Sequence, residues 1–248
     1  MSQPSVLLLH GVTSASTTWW RNEEDLTELG WEVVTLDLAG HGGRARSAGT
    51  APWLEELAAD VLTRITRTFD VVVGHSLGAL VALTLVAARP TVARGVFIVD
   101  PPGLGGRLDP KDVAAGIERA AIQIETDPRA AVEQALADNP RWSRHDAEDS
   151  LASSQILDIG YVTAMLRSNR WDLPALVRAS PVPVHLLAAT PPGSVLFEPD
   201  RTQVFEAVSS VTEVNSTHSV HRDRPALWLH DLVRFHASLP ETPAGNPQ

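Results

Sequence analysis

The chain contains no cysteine. That absence excludes a disulfide framework, a thiol nucleophile and any zinc site built on thiolates, and it says nothing firm about compartment. A basic cluster is also missing. With 20 Lys and Arg against 30 Asp and Glu, the net charge is −10 and the sequence pI is near 5.3, which argues against nucleic acid or an anionic membrane as partner. Long apolar runs are lacking too. Val6-Leu7-Leu8-Leu9, close behind Met1-Ser2-Gln3-Pro4, is too short for a signal h-region and has no basic n-region, and no other stretch could span a bilayer. A cytoplasmic protein without a membrane partner is expected. Internal repeats and low-complexity segments are absent as well. What is present is 248 residues with apolar side chains spread evenly, enough for one large core and thus one α/β domain rather than two separate ones.

The most informative stretch is Asp70-Val71-Val72-Val73-Gly74-His75-Ser76-Leu77-Gly78-Ala79-Leu80-Val81-Ala82-Leu83. An apolar β-branched run ends in Gly-His-Ser-Leu-Gly and continues with helical spacing. In a G-x-S-x-G elbow a strand turns so sharply into a helix that the serine is held in a strained conformation with its Oγ exposed. The flanking glycines let strand and helix approach closely. A bare pentapeptide of this kind is a common accident, but the strand before it and the Ala/Leu/Val segment after it, closing at Arg89-Pro90, supply the context the motif demands. Ser76 is therefore the candidate nucleophile, placed where helix N–H groups and the helix dipole favour developing negative charge.

The rest of the chain alternates. Val6–Leu9 reads as a strand buried on both faces, Thr18–Leu29 as a helix stopped by Gly30, and Trp31–Leu36 as a second strand leaving into a glycine-rich loop. Trp53–Thr68 reads as an amphipathic helix before the nucleophile strand, and Gly95–Val99 as the strand after the elbow helix, stopped by Pro101 and Pro102. This alternation predicts a parallel sheet with right-handed crossovers. From Gly103 to Arg178 strand signals vanish, and Asp109-Pro110 and Asp127-Pro128 mark helix starts. Strands resume at Val182–Ala188 and Val211–Val214, a last helix runs from about Pro225 to Ala237, and 241–248 is expected to be a flexible tail.

With these motifs in hand, the chain resembles the α/β-hydrolase family from Val6 to about Leu239. His10-Gly11 looks like the family's oxyanion loop, and Asp37-Leu38-Ala39-Gly40-His41-Gly42 like the loop after its next strand. Gly74-His75-Ser76-Leu77-Gly78 looks like its elbow. Thr217-His218-Ser219-Val220-His221-Arg222-Asp223-Arg224-Pro225 looks like the histidine loop before the final helix. Four motifs in family order are far more specific than one. The resemblance implies an α/β fold with a mostly parallel sheet of about six strands, lacking the family's first two. It divides the chain into a core of 1–102 and 179–240 and a helical cap over 103–178 that shapes the substrate pocket.

A serine hydroxyl needs a base within reach, itself oriented by a third group. Of the nine histidines, His10 and His41 sit in loops the family uses structurally, and His75 is the elbow's variable residue, expected to point away from the serine. His145, His185, His230 and His236 read as solvated or core-satisfied. His218 and His221 remain, and the family register favours His218, with His221 as runner-up. For the oxyanion hole the fold uses the backbone N–H groups of Leu77 and, in the first loop, Val12, or Thr13 if that loop is one residue longer. Trp19, Trp20 and Trp53 leave the C-terminal strand ends, where ligands bind open α/β sheets, and are candidate substrate contacts in a hydrophobic pocket, with core packing as the alternative.

The third triad member departs from the commonest family pattern. The loop after Val184–Ala188 reads Ala189-Thr190-Pro191-Pro192-Gly193-Ser194-Val195 and has no carboxylate, and Glu198 and Asp200 read as the start of the next helix. Asp100, just past the strand that follows the elbow helix, is the better candidate. The zearalenone-type lactonases look similar in taking their acid from that strand end, which favours a lactone or bulky ester, although an Asp before two prolines can merely cap a turn. The reading that follows is a serine hydrolase acting on a small hydrophobic ester or lactone through an acyl-enzyme, with neither cofactor nor metal. Rivals are a hydroxynitrile-lyase or C–C bond hydrolase on the same scaffold, for which Thr13 is the candidate extra group, and a non-catalytic ligand-binding receptor. Substrate, pathway and oligomeric state are not legible.

Overall fold

The computed structural model describes residues 3–44, 53–104 and 109–240. The expected tail, 241–248, lies outside them. Six strands, β1 (Ser5–Leu9), β2 (Glu32–Leu36), β3 (Phe69–His75), β4 (Ala93–Val99), β5 (Val184–Ala189) and β6 (Ser210–Val214), form one sheet in the order β2-β1-β3-β4-β5-β6. All five pairings are parallel, so the sheet is wholly rather than mostly parallel. The order reverses at β1 and β3, so the nucleophile strand is central, and ligands of such sheets bind beyond the carboxyl ends of their strands near such a switch point.

Alternate residues explain why the strands read as continuous apolar runs. Leu7, Val72, Val96, Ile98 and Leu186 pack into one cluster and Val6, Leu8, Val71, Phe97 and Leu187 into the other, so both faces are covered and there is no solvent face to carry polar residues. Helices α1 (Trp20–Glu28), α2 (Trp53–Arg64) and α3 (Leu77–Ala88) precede β4. Every residue of α3 from Leu77 to Val86 is buried, the mark of a helix surrounded by protein rather than of a surface helix. Several expected boundaries shift by a few residues. α2 ends at Arg64, short of Thr68, and β5 starts at Val184, because Pro183 has no N–H for the ladder and contributes only its carbonyl, to Val96.

Between β4 and β5 lie α4 (Pro110–Thr126), α5 (Pro128–Asp138), α6 (Arg144–Gln155), α7 (Ile159–Ser168) and α8 (Leu173–Arg178), with no strand among the described residues. Asp109 and Asp127 cap α4 and α5 through their carboxylates ahead of Pro110 and Pro128. α4 to α7 pack on one another, whereas α8 packs on α3 and on α9 (Asp200–Ala207). The chain ends in a short α10 (Val220–Asp223) and α11 (Pro225–Ser238), whose Trp228, Leu232 and Phe235 cover the sheet face opposite α3. Among the described residues no helix is long and apolar enough to cross a membrane.

Candidate active site

β3 ends at His75 and α3 begins at Leu77, leaving Ser76 alone to make the turn with φ 53° and ψ −116°. A non-glycine residue at positive φ is strained, and the surroundings must hold it. The Ser76 N–H donates to the Val99 carbonyl at 3.0 Å. The two elbow glycines are dictated by proximity: a Cβ on Gly74 would lie 2.2 Å from the Gly78 oxygen, and one on Gly78 would lie 2.2 Å from the Leu9 oxygen. Leu77 occupies the first helical position, so its N–H has no partner within the helix.

Among the described residues, the other non-glycine residue at positive φ is Asp100, at 39°. It follows β4, next to the nucleophile strand, and is fully buried. Its Oδ1 accepts from Ala189 N–H at 3.1 Å and the Ser194 hydroxyl at 2.6 Å. Its Oδ2 accepts from Val195 N–H at 3.0 Å and from His218 Nδ1 at 2.6 Å. The loop without a carboxylate thus supplies three donors to one that arrives from another strand. With its proton on Nδ1, a neutral His218 keeps Nε2 as an acceptor. Glu198 instead accepts from Thr202 in the first turn of α9, and Asp200 is the first residue of that helix. His218 is brought to neither.

His75 departs from expectation. Its ring does not leave the site but lies 4.6 Å from the rings of both His218 and His221, and its Nε2 donates to the His218 carbonyl at 3.0 Å. Burial, with the His218 and His221 rings nearby, holds its pKa well below the ordinary value. His221 is buried beside it, with Nε2 3.1 Å from the Thr18 hydroxyl and its ring against Trp19, and burial lowers its pKa likewise. His10 is held down at about 3 by burial and by His41. It donates from Nδ1 to the Gly11 carbonyl at 2.8 Å and accepts at Nε2 from Leu38 N–H at 3.0 Å, the pattern of a neutral ring. His41 Nε2 lies 2.8 Å from the Val12 carbonyl and pins the loop that carries the Val12 amide.

Ser76 and His218 share a cavity of about 360 Å³ whose remaining lining is almost wholly apolar, including Leu80, Val113, Ile117, Leu166 and Trp171. Val12, Thr13, Leu77 and Trp53 line it too. Trp19 and Trp20 are not brought there. Trp19 closes a single helical turn that faces the α11 side of the sheet and packs on Trp228, while Trp20 donates from its indole to Asp146 on α6 at 3.0 Å and meets His145 edge-on. Among the described residues no cluster of three or more His, Asp or Glu could hold a metal ion.

Residues 6–231 match the Alpha/beta hydrolase family. The chain belongs to that family. It is 37% identical over 100 residues to Lipase LipV of Mycobacterium tuberculosis, a match covering 39% of this chain and 36% of the lipase. The chain thus spans a little over a third of that relative's length. Among solved α/β-hydrolase structures it is similar to the esterase RhEst1 of a Rhodococcus species, at 23% identity, TM-score 0.71 and coverage of 96% of this chain and 92% of that one. It is also similar to an enol-lactonase of Burkholderia xenovorans, at 18% identity, TM-score 0.70 and coverage of 96% and 93%. These likenesses speak to the fold.

For this family member, sequence reasoning missed the position of His75 and did not single out Val113, Ile117 and Leu166 among the apolar residues of the cap, whereas Trp171, which the sequence suggests for a hydrophobic pocket, does line the cavity. His75 had a signal, since the variable position of G-x-S-x-G directly abuts the nucleophile. Val113, Ile117 and Leu166 had only an amphipathic pattern, which does not say which sheet edge a helix covers.

Proposed function

We propose that the chain is a serine hydrolase cleaving a carboxylic ester or lactone with a hydrophobic part, through an acyl-enzyme on Ser76. The observation that carries the reading is the 2.6 Å bond from His218 Nδ1 to the buried Asp100 carboxylate, which leaves His218 Nε2 as a base in the same apolar cavity as the strained Ser76. In this reading Ser76 Oγ attacks the carbonyl carbon as His218 Nε2 takes its proton. The amides of Leu77 and Val12 hold the oxyanion of the tetrahedral intermediate. Collapse expels the alkoxide, which takes the proton back from His218, and water then attacks the acyl-enzyme with His218 again as base, releasing the acid. Asp100 keeps the ring oriented and balances the imidazolium. Residues 103–178 are the cap, with α4 and α7 supplying its pocket-facing side chains, Trp53 contacts the hydrophobic part of the substrate, and no cofactor takes part. The names of the similar proteins, a lipase, an esterase and an enol-lactonase, support this class.

The test combines covalent labelling with substitution. A fluorophosphonate should add once to the chain and an activated ester should give a product burst, and Ser76→Ala should abolish both while keeping a cooperative melt. Labelling elsewhere, or turnover above trace in the variant, would sink the assignment, and a receptor would show neither signal. Thr13, which lines the cavity beside Ser76, favours one second reading, a lyase using the serine and histidine on protons. That enzyme would release cyanide from a cyanohydrin without an acyl-enzyme.

A further inference from the structure

Resting on the serine-hydrolase reading, the two sides of Ser76 differ in a way that defines the substrate. Val12, Thr13, Ser76 and His218 belong to two cavities, the second much richer in polar side chains than the first, so the reacting carbonyl sits at their junction. One is the apolar cavity of about 360 Å³. The other, of about 110 Å³, is walled by Ser14, Thr18, Ser150, Ser219, His221 and Arg222.

Arg222 is fixed in that wall. Its Nη2 donates to the buried Asp149 carboxylate of α6 at 2.5 Å, and its guanidinium lies over Trp142, 4.6 Å from the ring centroid. Asp149 and the nearby Asp146 oppose its charge, so little net positive charge is left to select an anion. The side chains of Ser14, Ser150 and Ser219 nevertheless bring hydroxyl groups to the lining of this compartment. A ligand that offers a hydroxyl or amide can hydrogen-bond to such groups in place of the water it displaces, and an alkyl group cannot.

Which half of the substrate goes where follows from the proton path. Ser219, His221 and Arg222 continue the segment that carries His218, and His218 must deliver its proton to the leaving oxygen. We propose that the small polar compartment is the leaving-group subsite, and that the substrate is an ester of an apolar carboxylic acid with a compact, neutral alcohol bearing a further hydroxyl or amide. Water cleaves the acyl–oxygen bond and the products are the apolar acid and that polar alcohol. The larger cavity takes the acyl chain.

Three esters read this out: 2-hydroxyethyl octanoate, its near-isostere propyl octanoate, and octyl glycolate, in which the polar group is on the acid. The kcat/KM for 2-hydroxyethyl octanoate should exceed that of each of the other two by about tenfold or more, since a site built to bond a hydroxyl rejects the analogue without it. Ser150→Leu and, independently, Ser14→Leu should move the hydroxyethyl-to-propyl ratio towards one. Hydrolysis with the propyl ester or octyl glycolate equal or preferred, or a ratio unmoved in both folded variants, overturns the subsite while leaving the hydrolase reading intact. No hydrolysis of any ester and no fluorophosphonate label on Ser76 would overturn the hydrolase reading, and the subsite with it.

Discussion

His75 Nε2 donates to the backbone carbonyl of His218 at 3.0 Å, so the residue just before the nucleophile holds in place the residue proposed as its base. The bond joins the end of β3 to the loop after β6, 143 residues apart in sequence. Ser76 is fixed by the elbow and His218 by the loop after β6, and without a tie between them each could shift by fractions of an ångström with large effects on proton transfer.

His75→Phe preserves ring volume and removes the donor. The His218 carbonyl then loses a partner in a largely buried setting, a change worth about 1–3 kcal/mol. We expect kcat to fall by about tenfold with KM little changed, because the ring positions the base and does not line the large apolar cavity. His75→Gln, which can restore an N–H donor, should recover part of the loss. An equal rise in KM, or full activity in His75→Phe, would contradict the positioning role.

Asp100→Asn is the sharper test of the unusual acid. An amide in that place can present its N–H to His218 and force the wrong tautomer, so kcat should drop by about 10³- to 10⁴-fold. Ser194→Ala removes one of the four donors to Asp100 and should cost only about three- to tenfold, in line with a single hydrogen bond. Glu198→Gln, just before α9 and bonded to Thr202 rather than to His218, should stay close to wild type. A larger loss in Glu198→Gln than in Asp100→Asn, read from steady-state kcat on one ester, would move the acid to that position.

The buried histidines set an acid limit on stability. Burial depresses the pKa of His10, His41, His75 and His221 in the folded chain, that of His10 to about 3. An unfolded histidine takes up its proton below about pH 6.5, whereas these rings stay neutral when folded. The unfolded state therefore binds more protons, and stability falls as pH drops below about 6.5, by up to about 1.4 kcal/mol per pH unit for each ring, until the folded pKa is reached. Thermal melts at constant ionic strength should show Tm level above pH 7 and declining steadily from pH 6.5 to 4. A flat Tm over that interval would mean that these rings do not resist protonation.

The sequence by itself determined the parts whose physics is local. Val71-Val72-Val73 followed by Gly74-His75-Ser76-Leu77-Gly78 dictates a strand, a strained turn and a helix, because only glycine tolerates the approach of Gly78 to the Leu9 carbonyl and of Gly74 to Gly78 itself. Asp109-Pro110 and Asp127-Pro128 likewise start helices through their own side chains. The alternation of buried strands and helices was enough for a parallel six-stranded sheet. What only the tertiary structure decided is what joins distant segments. Asp100 reads equally as a turn cap until Ala189, Ser194, Val195 and His218 converge on its two oxygens. Trp19, Trp20 and Trp53 are indistinguishable by type, yet the first packs under α11, the second reaches α6 and the third lines the apolar cavity. Burial of an aromatic ring contributes alike on any face, so which face it takes is settled by the packing of whole elements and not by the residue itself.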